Sequence, residues 1–167
     1  RVLRFSGILA VVLFAGQARI FAQAIGDYGS AAAGPANWNA AASWIVCVAN
    51  GSWVGATPAA AAPTNATNVW IRAGHTITAN TNPTSFCKNL NVQGTLTGSN
   101  RALTISGNLD CTGTVDYSGS TGDITVNGNV SSSGTMTINT GRLTITGTTQ
   151  ISGGSFTDNA NNGINTF

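Results

Sequence analysis

The sequence contains no glutamate, one lysine and one histidine among 167 residues, and charged residues make up only 7% of it. Glutamate and lysine favour helices, whereas the abundant threonine and branched apolar residues suit strands, so an all-β chain is predicted. The lone histidine, His75, cannot form a multi-histidine metal site, and the sequence shows no partner for a catalytic triad. We interpret His75 as a turn residue that bonds locally through its ring.

The first 24 residues have the three parts of a secretory signal peptide. Arg1 and Arg4 give a positive start, residues 8–14 form an apolar run, and Ala22-Gln23-Ala24 has the small-x-small pattern of a cleavage site. The run is too short to cross a bilayer, which argues against a transmembrane anchor. We predict cleavage after Ala24 and no membrane span in the mature protein.

Cleavage there would change the net charge. The whole chain has seven basic and five acidic residues; without Arg1, Arg4 and Arg19 it has four and five, a net charge of −1. Such a nearly neutral chain lacks the basic surface of a nucleic-acid-binding protein. The sequence starts without methionine and ends at Phe167 with no sorting domain before it, which predicts a fragment of a longer protein with downstream domains.

Two short phrases recur in the second half of the chain. Gly94-Thr95-Leu96 returns three times in steps of 19, 21 and 20 residues, and a phrase that begins at Leu103 returns twice in steps of 21 and 19. Two markers that keep one period indicate a solenoid repeat. Within each repeat, apolar residues alternate with small polar ones, which is the period of a strand.

Glycine and asparagine occupy the breaks in this alternation, where corners between short strands are expected. The pattern predicts a parallel β-helix (β-solenoid) of about 20 residues per rung, with equivalent side chains stacked in columns. An antiparallel sandwich is the alternative, but its hairpins would not keep two markers in phase. The predicted inward columns are Leu103/Ile124/Leu143, Ile105/Val126/Ile145 and Leu96/Val115/Met136/Phe156.

The predicted organisation is a signal peptide at residues 1–24, a cap and loop region at 25–68, and a β-solenoid at 69–167. Trp38, Trp44 and Trp53 fall in the cap region and are predicted to cover the exposed end of the solenoid. Their alternative role is glycan contact, because aromatic faces can pack on sugar rings. Large aromatic residues are more often buried anchors.

Three cysteines lie in the exported part, where oxidation is permitted. We predict a disulfide between Cys47 and Cys87, which would join the cap to the first rung. Cys111 falls in an inward column beside Ser132 and Ile151 and is predicted to fill the core.

The acidic residues are scattered. Asp110 and Asp116 lie six residues apart in one rung and are the strongest candidates for paired catalytic carboxylates, but turn or surface roles explain them as well. Residues 158–163 resemble a calcium loop in composition, yet Ala160 occupies a ligand position and the closing glutamate is absent. We predict no catalytic residues, no metal site and no cofactor.

Threonines flank the inward residues of the glycine-led phrase. Thr95 and Thr97, and again Thr135 and Thr137, are predicted to form a flat outward face, which Asp116 interrupts. Such a face resembles the contact surface of ice-binding proteins. Strand propensity and solubility offer a simpler explanation of the same threonines.

Several segments together resemble a known group of proteins. Trp38, Trp44, Pro63, Asn68-Val69-Trp70-Ile71, Gly74-His75-Thr76-Ile77 and Leu90-Asn91-Val92-Gln93-Gly94-Thr95-Leu96 occur in this order. The stretch from residue 28 to residue 96 resembles the start of secreted β-solenoid surface proteins of Gram-negative bacteria that use type IX secretion. It is also similar to the extracellular domain named for its eight glycines.

The resemblance implies a long, adhesive, multidomain protein at the cell surface, exported through a C-terminal sorting domain, with no agreed catalytic residues. We therefore expect a secreted or cell-surface structural module without catalytic activity. Its partners would be an extracellular glycan or other cell-surface proteins. The alternatives are a glycan-binding module, the non-catalytic part of a carbohydrate-active enzyme, and an ice-binding threonine face.

Overall fold

A computed structural model describes residues 22–32, 34–82, 84–139 and 141–158 of the chain. The predicted signal peptide lies outside these ranges apart from Ala22, Gln23 and Ala24. The turn predicted at residues 158–163 also lies outside them apart from Asp158.

The described residues form short strands connected by tight corners, and a single 3-10 turn at Ala41–Ser43. The strands are β1 (Tyr28–Ser30), β2 (Gly34–Asn37), β3 (Trp44–Val46), β4 (Thr57–Pro58), β5 (Val69–Ile71), β6 (His75–Ala79), β7 (Thr84–Cys87), β8 (Leu90–Val92), β9 (Thr95–Gly98), β10 (Ala102–Ile105), β11 (Leu109–Cys111), β12 (Thr114–Tyr117), β13 (Ile124–Val126), β14 (Val130–Ser132), β15 (Thr135–Ile138), β16 (Leu143–Ile145), β17 (Thr149–Ile151) and β18 (Ser155–Asp158).

These strands build three sheets that wind around a common core. An eight-stranded sheet has the order β17-β14-β11-β8-β5-β1-β3-β4, a six-stranded sheet has the order β18-β15-β12-β9-β6-β2, and a four-stranded sheet has the order β16-β13-β10-β7. All described strand pairs are parallel except β1–β3 and β3–β4. The predicted parallel β-helix is confirmed, with about four turns and roughly 20 residues per rung.

The predicted inward columns are confirmed residue by residue. Leu103 pairs with Ile124, which pairs with Leu143, and each of these side chains is at most 1% exposed. Ile105, Val126 and Ile145 are likewise in register and buried. The column of Leu96, Val115, Met136 and Phe156 is also in register, with Phe156 partly buried at the last described rung.

Asparagine side chains join successive rungs at one corner. Asn89 Nδ2 donates to Asn68 Oδ1 at 2.9 Å. Asn89 Oδ1 then accepts from the Asn108 backbone N–H, and Asn108 Oδ1 accepts from the Asn129 backbone N–H, both at 2.8 Å. This asparagine ladder satisfies backbone groups that the turn would otherwise leave unpaired, because the strands end there.

A second corner is formed by stacked glycines at the start of the six-stranded sheet. A Cβ atom at Gly113 would overlap the Gly94 carbonyl oxygen, and one at Gly134 would overlap the Gly113 carbonyl oxygen. The backbone of one rung therefore rests directly on that of the rung before it, and only glycine leaves room for this approach.

The cap region contributes strands as well as loops. β1 pairs in parallel with β5, and β2 pairs in parallel with β6, so the parallel stack begins at Tyr28 and not at Val69 as the predicted boundary implied. β3 then lies antiparallel to β1 and ends the parallel order of the eight-stranded sheet. The cap is thus a partial rung closed by an antiparallel strand.

The predicted Cys47–Cys87 disulfide is wrong for this structure, in which Cys47, Cys87 and Cys111 are free and buried. The Cys47 thiol donates to the Ala49 and Ser52 carbonyl oxygens at 3.0 and 3.2 Å, within the loop that follows β3. Cys87 instead occupies the inward column of the four-stranded sheet, in register with Ile105. Cys111 lies between Val92 and Ser132 in its inward column, as predicted.

Candidate functional site

The outward side of the six-stranded sheet carries two adjacent columns of hydroxyl side chains. The first column is Thr76, Thr95, Thr114, Thr135 and Ser155; the second is Thr78, Thr97, Asp116, Thr137 and Thr157. We call these ten residues the threonine face. Rungs lie about 4.8 Å apart and alternate residues of one strand about 6.6 Å apart, so the face is a regular grid.

The side chains of the threonine face are held by their surroundings. Thr78 Oγ1 and Thr97 Oγ1 are hydrogen-bonded at 3.0 Å across two rungs, and Thr97 Oγ1 also lies 3.4 Å from the Ile77 carbonyl oxygen. Branching at Cβ restricts the remaining rotation about χ1. Asp116 is the single charged member, and its Oδ1 accepts from the Ser118 backbone N–H at 2.9 Å.

The structure unites the predicted Thr95, Thr97, Thr135 and Thr137 on one face and adds a rung that sequence reasoning missed. Thr76 and Thr78 continue the same two columns towards the cap. The signal was present in the sequence, because Thr76 precedes Thr95 by 19 residues, which is one of the repeat's own steps.

Two of the three tryptophans proposed for glycan contact are not accessible. Trp38 is 1% exposed and Trp44 is fully buried, with their rings in edge contact at 5.2 Å. Trp44 Nε1 donates to the Trp38 carbonyl oxygen at 2.8 Å, which satisfies the indole inside the core. Glycan contact by Trp38 and Trp44 is therefore wrong, and both anchor the cap.

Trp53 is only half-buried and lies on the outward side of the eight-stranded sheet. Its ring makes an edge contact with Trp70 at 6.1 Å, and the Arg72 guanidinium lies 5.9 Å from its centroid. A Cβ at Gly29 would clash with the ring at 2.8 Å, so glycine at that position seats Trp53 on the sheet. Trp53 is thus the remaining aromatic candidate for ligand contact.

The candidate catalytic carboxylates do not converge. Asp110 belongs to β11 in the eight-stranded sheet, whereas Asp116 belongs to β12 in the six-stranded sheet, and both occupy outward positions. Burial raises the pKa of Asp110, and a hydrogen bond from Ser131 partly opposes that shift. Two carboxylates on different faces cannot act together on one glycosidic bond.

His75 joins the cap to the first complete rung. Its Nδ1 lies 2.9 Å from Ser30 Oγ, and Ser30 Oγ also accepts from the Arg72 backbone N–H at 3.0 Å. Partial burial, and then the charge of Arg72, lower the pKa of His75, while hydrogen bonding to Ser30 opposes them. The ring is engaged as predicted, although its partner is a distant cap strand. Within the described ranges, no three His, Cys, Asp or Glu side chains are grouped to hold a metal ion.

A small cavity lies beside the N-terminal end of the asparagine ladder. Ala22 and Ala24 form one wall, and Asp27, Asn68, Trp70 and Asn91 are among the residues of the other. Asp27 is 5% exposed, and its Oδ1 accepts from Asn68 Nδ2 at 2.9 Å. A buried carboxylate held by amide groups is thus the first member of the ladder.

Comparisons with protein-family models, curated proteins and solved structures find no match for this chain. Among the residues that the structure describes, none belongs to a helix of the length and apolarity needed to span a membrane.

Proposed function

We propose that the chain is a secreted or cell-surface structural module, adhesin-like and bacterial, whose stiff β-solenoid spaces and presents other domains without catalysing a reaction. The carrying observation is that polar groups with chemical potential are used to hold rungs together. Asp27 joins the asparagine ladder, Asp116 accepts from Ser118, and Asp123 Oδ1 accepts from the Arg142 backbone N–H at 2.7 Å. Side chains engaged in this way support a rod and leave no group poised for catalysis.

An adhesion assay tests this role. The chain would be displayed on a non-adherent bacterium, and cell retention under flow measured on protein-coated and glycan-coated surfaces. We expect retention that survives Asp110→Asn and Asp116→Asn but is lost with Leu103→Asp, because a buried charge in an inward column unfolds the rungs. Retention no better than that of bare cells would contradict the adhesive role, and polysaccharide turnover abolished by either Asp→Asn change in a folded protein would favour an enzyme.

A second candidate function is ice binding by the threonine face, which its two-column register favours. Each threonine offers a hydroxyl that both donates and accepts, and a methyl group, at a fixed point of a grid. The grid is preorganised by the ladder and by restricted χ1 rotation, so little entropy is lost on contact with an ordered lattice. Neither column contains an aromatic residue, which favours a lattice of water over stacked sugar rings.

Matched lysine substitutions test the ice-binding candidate. Thr97→Lys and Thr135→Lys place charge and bulk on the threonine face, whereas Thr104→Lys and Thr125→Lys place the same group on the outward side of the four-stranded sheet. Thermal hysteresis and inhibition of ice recrystallisation would be measured at equal concentration. We expect the first pair to raise the concentration needed at least tenfold and the second pair to leave it unchanged.

Asp116→Thr completes the second column and is expected to lower the concentration needed. A wild-type protein without effect on ice growth, or equal losses in both lysine pairs, would rule out ice binding. Binding to crystalline cellulose or chitin that Thr97→Lys abolishes would assign the same face to a glycan instead.

A further inference from the structure

The residues on either side of the predicted cleavage site form a turn that is closed by Asp27. The Asp27 backbone N–H donates to the Ala24 carbonyl oxygen at 3.0 Å, and Gly26 adopts φ of +92° between them. The Ala24 backbone N–H in turn donates to Asp27 Oδ2 at 2.6 Å. Ile25 is 67% exposed at the tip of this turn.

Cleavage after Ala24 would remove one hydrogen-bond donor from a buried carboxylate. Of the two Asp27 oxygens, Oδ1 would keep Asn68, but Oδ2 would lose the Ala24 N–H. Loss of Ala22 and Ala24 would also remove one wall of the adjoining cavity. A buried carboxylate with an unsatisfied oxygen is costly, so a replacement donor is needed there.

The same hydrolysis produces such a donor. Water adds across the Ala24–Ile25 peptide bond, the carboxylate leaves with the leader, and the Ile25 nitrogen becomes an α-amine that is protonated at neutral pH. In the intact chain that nitrogen already donates to Asn50 Oδ1 at 3.1 Å. An ammonium group has three donors, so it can keep Asn50 and still serve a second acceptor.

We propose that the cavity beside Asp27 is a binding site for a primary ammonium group, supplied by this chain's own processed N-terminus at Ile25. The ammonium replaces the Ala24 N–H as the partner of Asp27 Oδ2 and turns a neutral contact into a charge-assisted one. Asp27 is the only ionisable side chain that lines the cavity, so no other charge competes for the ammonium. The in vivo form of this proposal rests on the proposed secretion, because it requires cleavage after Ala24.

A thermodynamic cycle on purified protein tests the site without relying on secretion. A fusion partner would be removed by a protease that cuts immediately before Ile25, and the chain compared with its α-acetylated form, with Asp27→Asn, and with the doubly changed protein. We expect acetylation and Asp27→Asn each to lower Tm by about 5 °C, and the double change to lower it little further. Additive losses would overturn the proposal.

The matched control is a chain that begins at Ala22, in which the Ala24 N–H still occupies Asp27 Oδ2. Acetylation of that longer chain is expected to leave Tm unchanged. Because Asp27→Asn can prevent folding, the rate of amine labelling by an activated ester gives a second measurement. The Ile25 amine is expected to react at least tenfold more slowly than that of the Ala22 chain, and equal rates would overturn the site.

Sequencing the N-terminus of protein secreted with its own leader separates the two proposals. A start at a residue other than Ile25, with the cycle intact in vitro, would contradict the predicted cleavage but not the ammonium site. A start at Ile25 with an additive cycle would contradict the site alone.

Discussion

Gly113→Ala tests whether one rung rests on the backbone of the next. A methyl group there would lie 2.6 Å from the Gln93 carbonyl carbon and would also overlap the Gly94 carbonyl oxygen. That oxygen accepts from the Thr114 N–H at 2.8 Å. Because the obstructing atoms are backbone, no side-chain rotation relieves the overlap, and the rungs must separate at this corner.

The expected cost combines overpacking, about 1–3 kcal/mol, with weakening of one hydrogen bond, about 1 kcal/mol. The control is Gly119→Ala, where a methyl group meets no atom within 4 Å and φ is not positive. Alanine restricts the unfolded chain there and should stabilise by about 0.4–1 kcal/mol. The two variants should therefore differ by about 3 kcal/mol.

Urea unfolding followed by far-UV circular dichroism measures this difference. With a slope near 2 kcal/mol per molar urea, the midpoint of Gly113→Ala should lie about 1.5 M below that of Gly119→Ala. Midpoints within about 0.2 M of each other, at equal slopes, would show that the corner has room for a side chain. The stacking of glycines would then not explain the glycine-led phrase.

Three further predictions follow from the same contacts. Asn108→Ala removes the acceptor of the Asn129 N–H and should cost about 1–2 kcal/mol in urea unfolding, whereas Asn127→Ala, at an exposed position, should change stability little. Alkylation in denaturant without reductant should modify all three cysteines by mass spectrometry, and one modified cysteine would restore the Cys47–Cys87 bridge. Asp110 binds its proton more tightly when folded, so its contribution is greatest below the pKa of unfolded aspartate, about 3.9, and is lost as the pH rises through the folded pKa. Asp110→Asn should therefore unfold at higher urea than wild type at neutral pH, with the difference vanishing in acid, and a lower midpoint at neutral pH would contradict this reasoning.

The rung architecture was predictable because two periods act together in the sequence. Alternation of apolar and polar residues decides which side chains point inwards, and the recurrence of the glycine-led phrase decides how many residues complete a turn. Leu103, Ile124 and Leu143 could be placed in one column for this reason. The same phase would also have found Thr76 had the repeat been extended one step towards the cap.

The cap could not be predicted in the same detail because it lies outside the repeat. Tyr28 pairs with Val69 across 41 residues, a separation that contains the antiparallel strand β3 and long loops. The exposure of a tryptophan depends on what covers it, and composition does not show that Trp44 bonds to Trp38 while Trp53 lies on the outer surface. The free Cys47 has the same origin, since its loop folds the thiol onto its own carbonyl oxygens.

The distribution of threonine over the three sheets bears on what the threonine face is for. Strand propensity acts alike on all outward positions, since these share one backbone geometry. The outward column of the eight-stranded sheet nevertheless contains no threonine; its members are Trp70, Asn91, Asp110, Ser131 and Gln150. The four-stranded sheet has one threonine column, which begins at Phe86, and the six-stranded sheet has two in adjacent positions. Propensity alone does not produce this inequality, so a requirement specific to one face is needed, and the paired lysine substitutions ask whether that requirement is contact with an ordered lattice.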